Sequence, residues 1–170
     1  MSINGTVGDL VTPLADYPNV RDDATLRDVF ATLKEKYDSA EQFRSVLVLD
    51  GQGRLVGVLG LRDLLFALLP DYLHHRPTHM EGAADDVESL APLWQEDCAE
   101  QCRKAAGMAV AAHARPVAAT VAAAEPLVRA VYLFATLDTH ILPVVENGRV
   151  AGVLRLVDVM AEVGKAVLHE

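Results

Sequence analysis

The segment GRLVGVLGLRD at Gly53–Asp63 returns near the other end of the chain as GRVAGVLRLVD at Gly148–Asp158, with seven of eleven positions identical. Both glycines and the terminal aspartate are retained, which shared apolar composition alone does not produce. The chain is an internal duplication, so its fold must be one supersecondary unit built twice and packed against itself.

The unit can be read from either copy. In the first, Asn19–Thr25 (NVRDDAT) offers a short extended piece at Val20, followed by helix-start residues. Leu26, Val29, Phe30 and Leu33 then follow helical spacing, predicting a helix to about Tyr37. Asp38–Phe43 reads as a polar connection. Ser45–Leu49 and Leu55–Leu59, separated by the turn Asp50–Gly53, predict a hairpin. Leu61–Leu69 predicts a helix with Asp63 in its first turn, stopped by Pro70. The second copy repeats the order. Thr120-Val121 matches Asn19-Val20, Leu127–Leu137 the first helix, and Ile141–Val145 with Val150–Leu154 the hairpin around Asn147-Gly148; Leu156–Val167 closes the unit. The copies are 101 residues apart at Leu26 and Leu127 but 95 apart at Gly53 and Gly148. The difference places small insertions in the first copy's polar connection and its longer turn. The expected fold is α/β, α+β in layer terms: a lead-in and first β-α-β-β-α repeat over 1–69, an insertion over 70–112, and a second repeat over 113–170.

A 170-residue chain that is 51% apolar can bury a core without disulfide staples. Its 24 acidic residues against 15 basic ones, a formal charge of −9 with no basic block, would repel a phosphate backbone, so nucleic acid is not an expected partner. The start, MSINGTVGDL, lacks the pattern of a signal peptide, and no apolar run approaches membrane-span length. The expectation is a cytoplasmic protein without membrane insertion. No Gly-rich phosphate loop, G-x-S-x-G elbow or H-E-x-x-H motif is present, so an enzyme is not expected either. Val7–Pro13 reads as a lead-in that stops at Thr-Pro. Within the insertion, His74, His75 and His79 read as solvated loop residues in no strong metal-ligand pattern. Leu90, Leu93, Trp94, Cys98 and Cys102 form one helical stripe. The two cysteines suit apolar packing better than a metal site that lacks an assured third ligand. Trp94 anchors this helix on the repeats or forms a contact between subunits.

Two such units, each ending in a hairpin, a G-V-L-x-x-x-D strand-to-helix junction and a final helix, resemble a pair of cystathionine-β-synthase (CBS) domains, the tandem Bateman module. Pro143-Val144-Val145 and Gly148–Val153 are especially similar to the family's strands. The resemblance covers about Val7–Leu69 and His113–Val167. It implies two repeats packed through their sheets about a pseudo-twofold axis, with two clefts that in many members bind AMP, ATP or S-adenosylmethionine. It also implies a flat homodimer and a non-catalytic, regulatory role toward a partner protein, here as a stand-alone module.

The family's nucleotide motif, G-h-x-[ST]-x-x-D, uses its aspartate for ribose hydroxyls and its Ser/Thr for phosphate. The first copy reads Gly57-Val58-Leu59-Gly60-Leu61-Arg62-Asp63 and the second Gly152-Val153-Leu154-Arg155-Leu156-Val157-Asp158. Both aspartates are kept and both hydroxyls are replaced. Asn19-Val20 and Thr120-Val121 match the segment that lines the base pocket. Asp63 and Asp158 can be ribose acceptors or simply the N3 carboxylates of helix starts. Gly60 is an acceptable N-cap and offers phosphate no side-chain donor. Arg155 is a poor N-cap, giving up ~1 kcal/mol, but it sets up to five donors at a helix N-terminus suited to anions. The expectation is that Arg155 and Asp158 bind the phosphate and ribose of AMP, ADP, ATP or a related adenosyl ligand, with the Gly60 and Asp63 cleft weaker or empty; the alternative is that Arg155 points into solvent or pairs with a nearby acid. The alternative function is a ligand-independent dimerisation or protein-interaction module.

Overall fold

The computed structural model describes residues 4–37, 43–69, 95 and 98–168. Its strands are β1 (Thr12–Pro13), β2 (Asn19–Arg21), β3 (Ser45–Leu49), β4 (Leu55–Gly60), β5 (Ile141–Glu146) and β6 (Arg149–Arg155). The helices are α1 (Leu26–Tyr37), α2 (Leu61–Ala67), α3 (98–106), α4 (Leu127–Thr136) and α5 (Leu156–Leu168). Short 3₁₀ turns lie at Val7–Leu10 and Val110–Ala112. The expected loop histidines and Trp94 lie outside the described residues.

Local chemistry accounts for the element boundaries. Thr25 donates both its backbone N–H (2.8 Å) and its hydroxyl (2.9 Å) to Asp28, which fixes the start of α1. The helix buries Leu26, Val29 and Leu33 and leaves Phe30 41% exposed, at the edge of the apolar stripe. Both hairpins form in the expected positions. At the second turn, Asn147 has φ 50° and Gly148 φ 76°, the pair of positive angles that a two-residue turn matched to strand twist requires. The first turn is longer and is closed by Asp50, whose side chain accepts the N–H groups of Gln52 (2.8 Å) and Arg54 (3.0 Å).

The third strand of each sheet carries the topology. In the first sheet, order β2-β3-β4, β2 is parallel to β3 with Val20 opposite Val48. In the second, order β1-β6-β5, the extra strand is β1, which pairs antiparallel with β6 through Thr12↔Val153 and Pro13↔Gly152. The lead-in of the first copy thus completes the sheet of the second. The exchange is reciprocal: Arg115 and Val58 trade two backbone hydrogen bonds of 2.8 and 2.9 Å, making Arg115 the counterpart of Thr12. The turns preceding them are exchanged as well. Leu127 donates to Gly5 and Val7 to Glu125, while Leu26 donates to Met108 and Val110 to Ala24. Residues 108–112 therefore mirror the lead-in around Val7.

Strand alternation sorts the core into three layers. Val46, Val48 and Leu59 face α1 and α2; Leu142, Val144 and Leu154 face α4 and α5. Between the sheets, Leu47 and Leu49 meet Val150 and Val153, with Tyr17 beside them. All five residues of β3 are buried because both of its faces are covered.

The two repeated motif glycines lie under this exchange. A Cβ on Gly57 would stand 2.8 Å from the Arg115 carbonyl oxygen, and one on Gly152 would collide with the Thr12 carbonyl oxygen. Gly57→Ala and Gly152→Ala are each expected to cost about 1–3 kcal/mol or more in urea unfolding. Gly164→Ala, in α5 with nothing within 4 Å of the added methyl, should instead be neutral or stabilising by about 0.5–1 kcal/mol.

Candidate functional site

Each return strand runs directly into a helix, and the chain is held at that junction by an equivalent bond: Leu61 N–H to the Arg44 carbonyl (3.1 Å) and Leu156 N–H to the His140 carbonyl (2.9 Å). Asp63 and Asp158 therefore occupy equivalent places, in the first turns of α2 and α5. Their surroundings differ.

Asp63 is fully engaged by its own protein. One oxygen accepts the Gly60 N–H at 2.7 Å, the capping geometry expected of an N3 carboxylate, and the other lies 2.7 Å from Arg115 Nε of the second copy. A Cβ on Gly60 would approach the Asp63 carboxylate to 3.2 Å, so the small residue suits the tight junction. Asp63 also borders a cavity of about 780 Å³ between α2 and α3, walled by Leu65, Phe66, Leu68, Leu69, Cys98 and Cys102. The two thiols are half-buried. Desolvation, then the neighbouring Cys98, raises the Cys102 pKa, the opposite of what a reactive thiolate needs. Among the described residues no group of three His, Cys, Asp or Glu side chains is placed to hold a metal ion.

At the second junction Arg155 turns onto Asp158. Its Nε and Nη2 contact the two carboxylate oxygens at 2.6 and 2.8 Å, a bidentate pair whose side chains are only 18% and 26% exposed. Arg155 is also the wall between two cavities. The first, about 340 Å³, is bounded by Asp9, Val11, Thr12, Asp158, Glu162 and Lys165. The second, about 230 Å³, is bounded by Tyr17, Phe43, Arg44, His140 and Leu156 and spans the two copies. One side of Arg155 is rich in hydrogen-bond acceptors. The other gathers Arg44, His140 and Arg155 itself.

An aromatic pair supports this arginine. The guanidinium carbon stands 6.0 Å from the Phe43 ring centroid, and Tyr17 meets Phe43 edge-on at 5.2 Å. The Tyr17 hydroxyl, 2% exposed as a residue, shares a 2.8 Å hydrogen bond with Ser45. Burial pushes its pKa up to about 12.

The structure brings Arg155 and Asp158 together and holds Gly60 with Asp63. The Asn19 amide donates to the carbonyls of Leu14 (3.2 Å) and Tyr17 (2.9 Å), closing the bend that precedes β2. Val20 and Val121 are core residues of the first and second copies, and the Thr120 side chain is exposed. None of these four borders the cavities beside Arg155. Thr12, Tyr17, Phe43, Arg44, His140 and Glu162 do, and the motif does not point to them. Alignment of the copies would have marked Thr12 against Arg115, the one visible signal.

The family model described as CBS domain matches residues 7–70 and 110–165. The magnesium transporter MgtE of Thermus thermophilus is 42% identical over 60 residues, which are 35% of this chain; the match spans 13% of the transporter's length. Among solved structures, the cytosolic domain of the Mg2+ channel MgtE in complex with ATP is 26% identical, with a TM-score of 0.62 over 93% of this chain and 48% of that one. CBSX2 in complex with AMP has the same fold, at 24% identity and a TM-score of 0.64 over 96% of this chain and 98% of that one.

The buried tyrosine gives the module a defined alkaline limit. A folded-state pKa of about 12 against an ordinary 10.0 favours the protonated phenol in the fold, so this stabilisation is complete below pH 10 and is lost as pH rises toward 12. The loss amounts to about 2–3 kcal/mol. Tyr17→Phe should remove that share of the fall in urea-unfolding stability between pH 10 and 12.

Proposed function

The chain belongs to the CBS-domain family as a tandem pair, and on that premise we propose that it is a non-catalytic regulatory module whose second junction binds an adenine nucleotide. The observation that carries this reading is the position of Arg155. It separates an acceptor-rich cavity, with Asp158 and Thr12, from a second one whose positive charge comes from Arg44 and Arg155 itself. A nucleotide has that polarity: hydroxyl donors on the sugar and negative charge on the phosphates. Asp158 accepts from the ribose, and Arg155 swings from Asp158 to the phosphate, with Arg44 and His140 beside it. The ATP complex of the 26% identical MgtE domain favours the same ligand class. Asp63, held by Arg115 and the Gly60 N–H, leaves the first junction the weaker cleft. S-adenosylmethionine, whose positive charge suits the cationic side poorly, ranks below AMP, ADP and ATP.

Exchange of Arg155 between carboxylate and phosphate makes the ligand bind one arrangement better than the other, which is what a regulatory response to a partner protein requires. No helix among the described residues is long and apolar enough to cross a membrane.

One observation favours the second reading, an interaction module. α4 and α5 lie on the same face of their sheet, and their outer sides expose Val128 (61%), Tyr132 (67%), Val157 (63%) and Met160 (57%). The first copy has Arg27 and Arg62 where the second has Val128 and Val157. Such a face fits a homodimer. The double variant Tyr132→Glu with Met160→Glu should reduce the sedimenting mass to that of a single chain; an unchanged mass removes this face from any dimer.

The nucleotide reading is tested by thermal unfolding with adenosine, AMP, ADP, ATP and S-adenosylmethionine. A ligand at a hundred times its dissociation constant stabilises by about 2.7 kcal/mol. Arg155→Ala should weaken AMP and ATP by about tenfold or more while leaving adenosine unchanged or tighter, because Asp158 is released from its internal partner. Equal losses for adenosine and ATP would remove the phosphate role.

A further inference from the structure

The helix α3 belongs to the insertion, so the duplication does not account for what it carries. Its inward stripe is Cys98, Cys102 and Ala105, while Ala99, Glu100, Arg103 and Lys104 are exposed. Both thiols are half-buried on the wall of the cavity of about 780 Å³ that α3 shares with α2, among Leu65, Phe66 and Leu69. They are also neighbours: Cys98 acts on Cys102, adding to the effect of desolvation.

Spacing decides what such a pair can do. Residues four apart on a helix hold their Cβ atoms about 5–6 Å apart, whereas a disulfide needs about 3.5–4.5 Å, so this pair does not close one while α3 stays helical. A single bridging ion reverses the comparison. Two metal–sulfur bonds of about 2.3 Å each, the length in zinc thiolates, set the sulfurs up to about 4.6 Å apart, against about 2.0 Å across an S–S bond. The carboxylates nearby are already engaged: Asp63 by the Gly60 N–H and Arg115, and Glu100 by Lys104 at 2.8 Å. Zinc, which completes a tetrahedron, therefore lacks its further ligands among the described residues. Two sulfurs alone suit a soft cation that takes two ligands, and thiolates select copper(I).

We infer that Cys98 and Cys102 bind one soft monovalent cation, copper(I), as a two-coordinate bis-thiolate on the wall of this cavity. Two S–H bonds give way to two copper–sulfur bonds, both protons pass to water, and no oxidation state changes. The bound group carries one net negative charge, which Arg62 on the cavity wall and Arg103 beside Cys102 offset. The apolar wall of Leu65, Phe66 and Leu69 keeps water from a site that needs none as ligand. Nothing in this site depends on a nucleotide at the second junction.

The test is anaerobic titration of the full chain with copper(I) against a competing chromogenic chelator, repeated with silver(I), on the unaltered protein and on Cys98→Ser and Cys102→Ser. One ion should bind per chain. Each single variant should lose about a hundredfold or more in affinity, because the second sulfur no longer binds within the same molecule. X-ray absorption of the copper-loaded chain should count two sulfur ligands and no nitrogen or oxygen, a reading taken on the unaltered protein that stands whatever either substitution does to folding. Absence of binding, three or more ligands at the copper, unchanged affinity in either single variant, or one ion shared by two chains in sedimentation would overturn the assignment.

Discussion

The rest of the structure depends on a backbone crossing made twice. The lead-in of each copy lies against the return strand of the other, Thr12-Pro13 over Val153 and Gly152, and Arg115 over Val58 beside Gly57. A glycine at each crossing lets two backbones approach to a distance that any side chain would forbid. Because the pairing is reciprocal, neither copy completes its own sheet, and the inter-sheet layer of Leu47, Leu49, Val150 and Val153 closes only when both are present. Repeated units of this kind cannot bury their apolar faces alone. The crossing also places the start of each copy beside the strand-to-helix junction of the other, which is how Thr12 comes to lie near Asp158 and Arg115 near Asp63.

On that symmetric frame, a few substitutions make the junctions chemically different. Arg155 stands where the first copy has Gly60, Arg115 where it has Thr12, Glu162 where it has Ala67, and His140 where it has Arg44. Their effects are coherent. At the first junction a cation from the other copy neutralises Asp63 and the small Gly60 allows a tight cap. At the second, the cation comes from the same copy, and its carboxylate borders an open cavity with a second carboxylate one turn away. The Arg155–Asp158 pair has most of its surface withdrawn from water, so a ligand must compensate for both groups if it separates them. In the proposed reading, occupancy is thereby coupled to the position of Arg155, which stands 6.0 Å from the Phe43 ring that meets Tyr17 edge-on.

Much of this was legible in the sequence, for local reasons. Periodicity placed α1, α4 and α5, Asn147-Gly148 specified its turn, and the copies checked each other; fold class and family follow from that agreement. The exchange of lead-ins was not legible, because a two-residue strand carries no periodicity and its partner lies some 140 positions away at Gly152 and Val153. The same non-locality hid the Arg115–Asp63 contact and the cavity shared by Arg44 and His140. The internal partner of Arg155 lies only three residues along a helix, within reach of ordinary spacing rules. Glu162 was concealed in a different way: an acid one turn beyond Asp158 in the mostly apolar α5 reads as its solvent face until it is set against Ala67. Asn19, Val20, Thr120 and Val121 lie away from the two cavities beside Arg155, and burial or backbone bonding is what the fold asks of Asn19, Val20 and Val121.

The central claim is that the proposed nucleotide cleft lies at the second junction, with the first weaker or empty. Its most direct test is the stoichiometry of ATP binding measured by titration calorimetry on the full chain. The account predicts one ATP per chain, with binding abolished by Asp158→Asn and retained by Asp63→Asn. Two equivalent sites per chain, or a single site lost with Asp63→Asn and kept with Asp158→Asn, would contradict it.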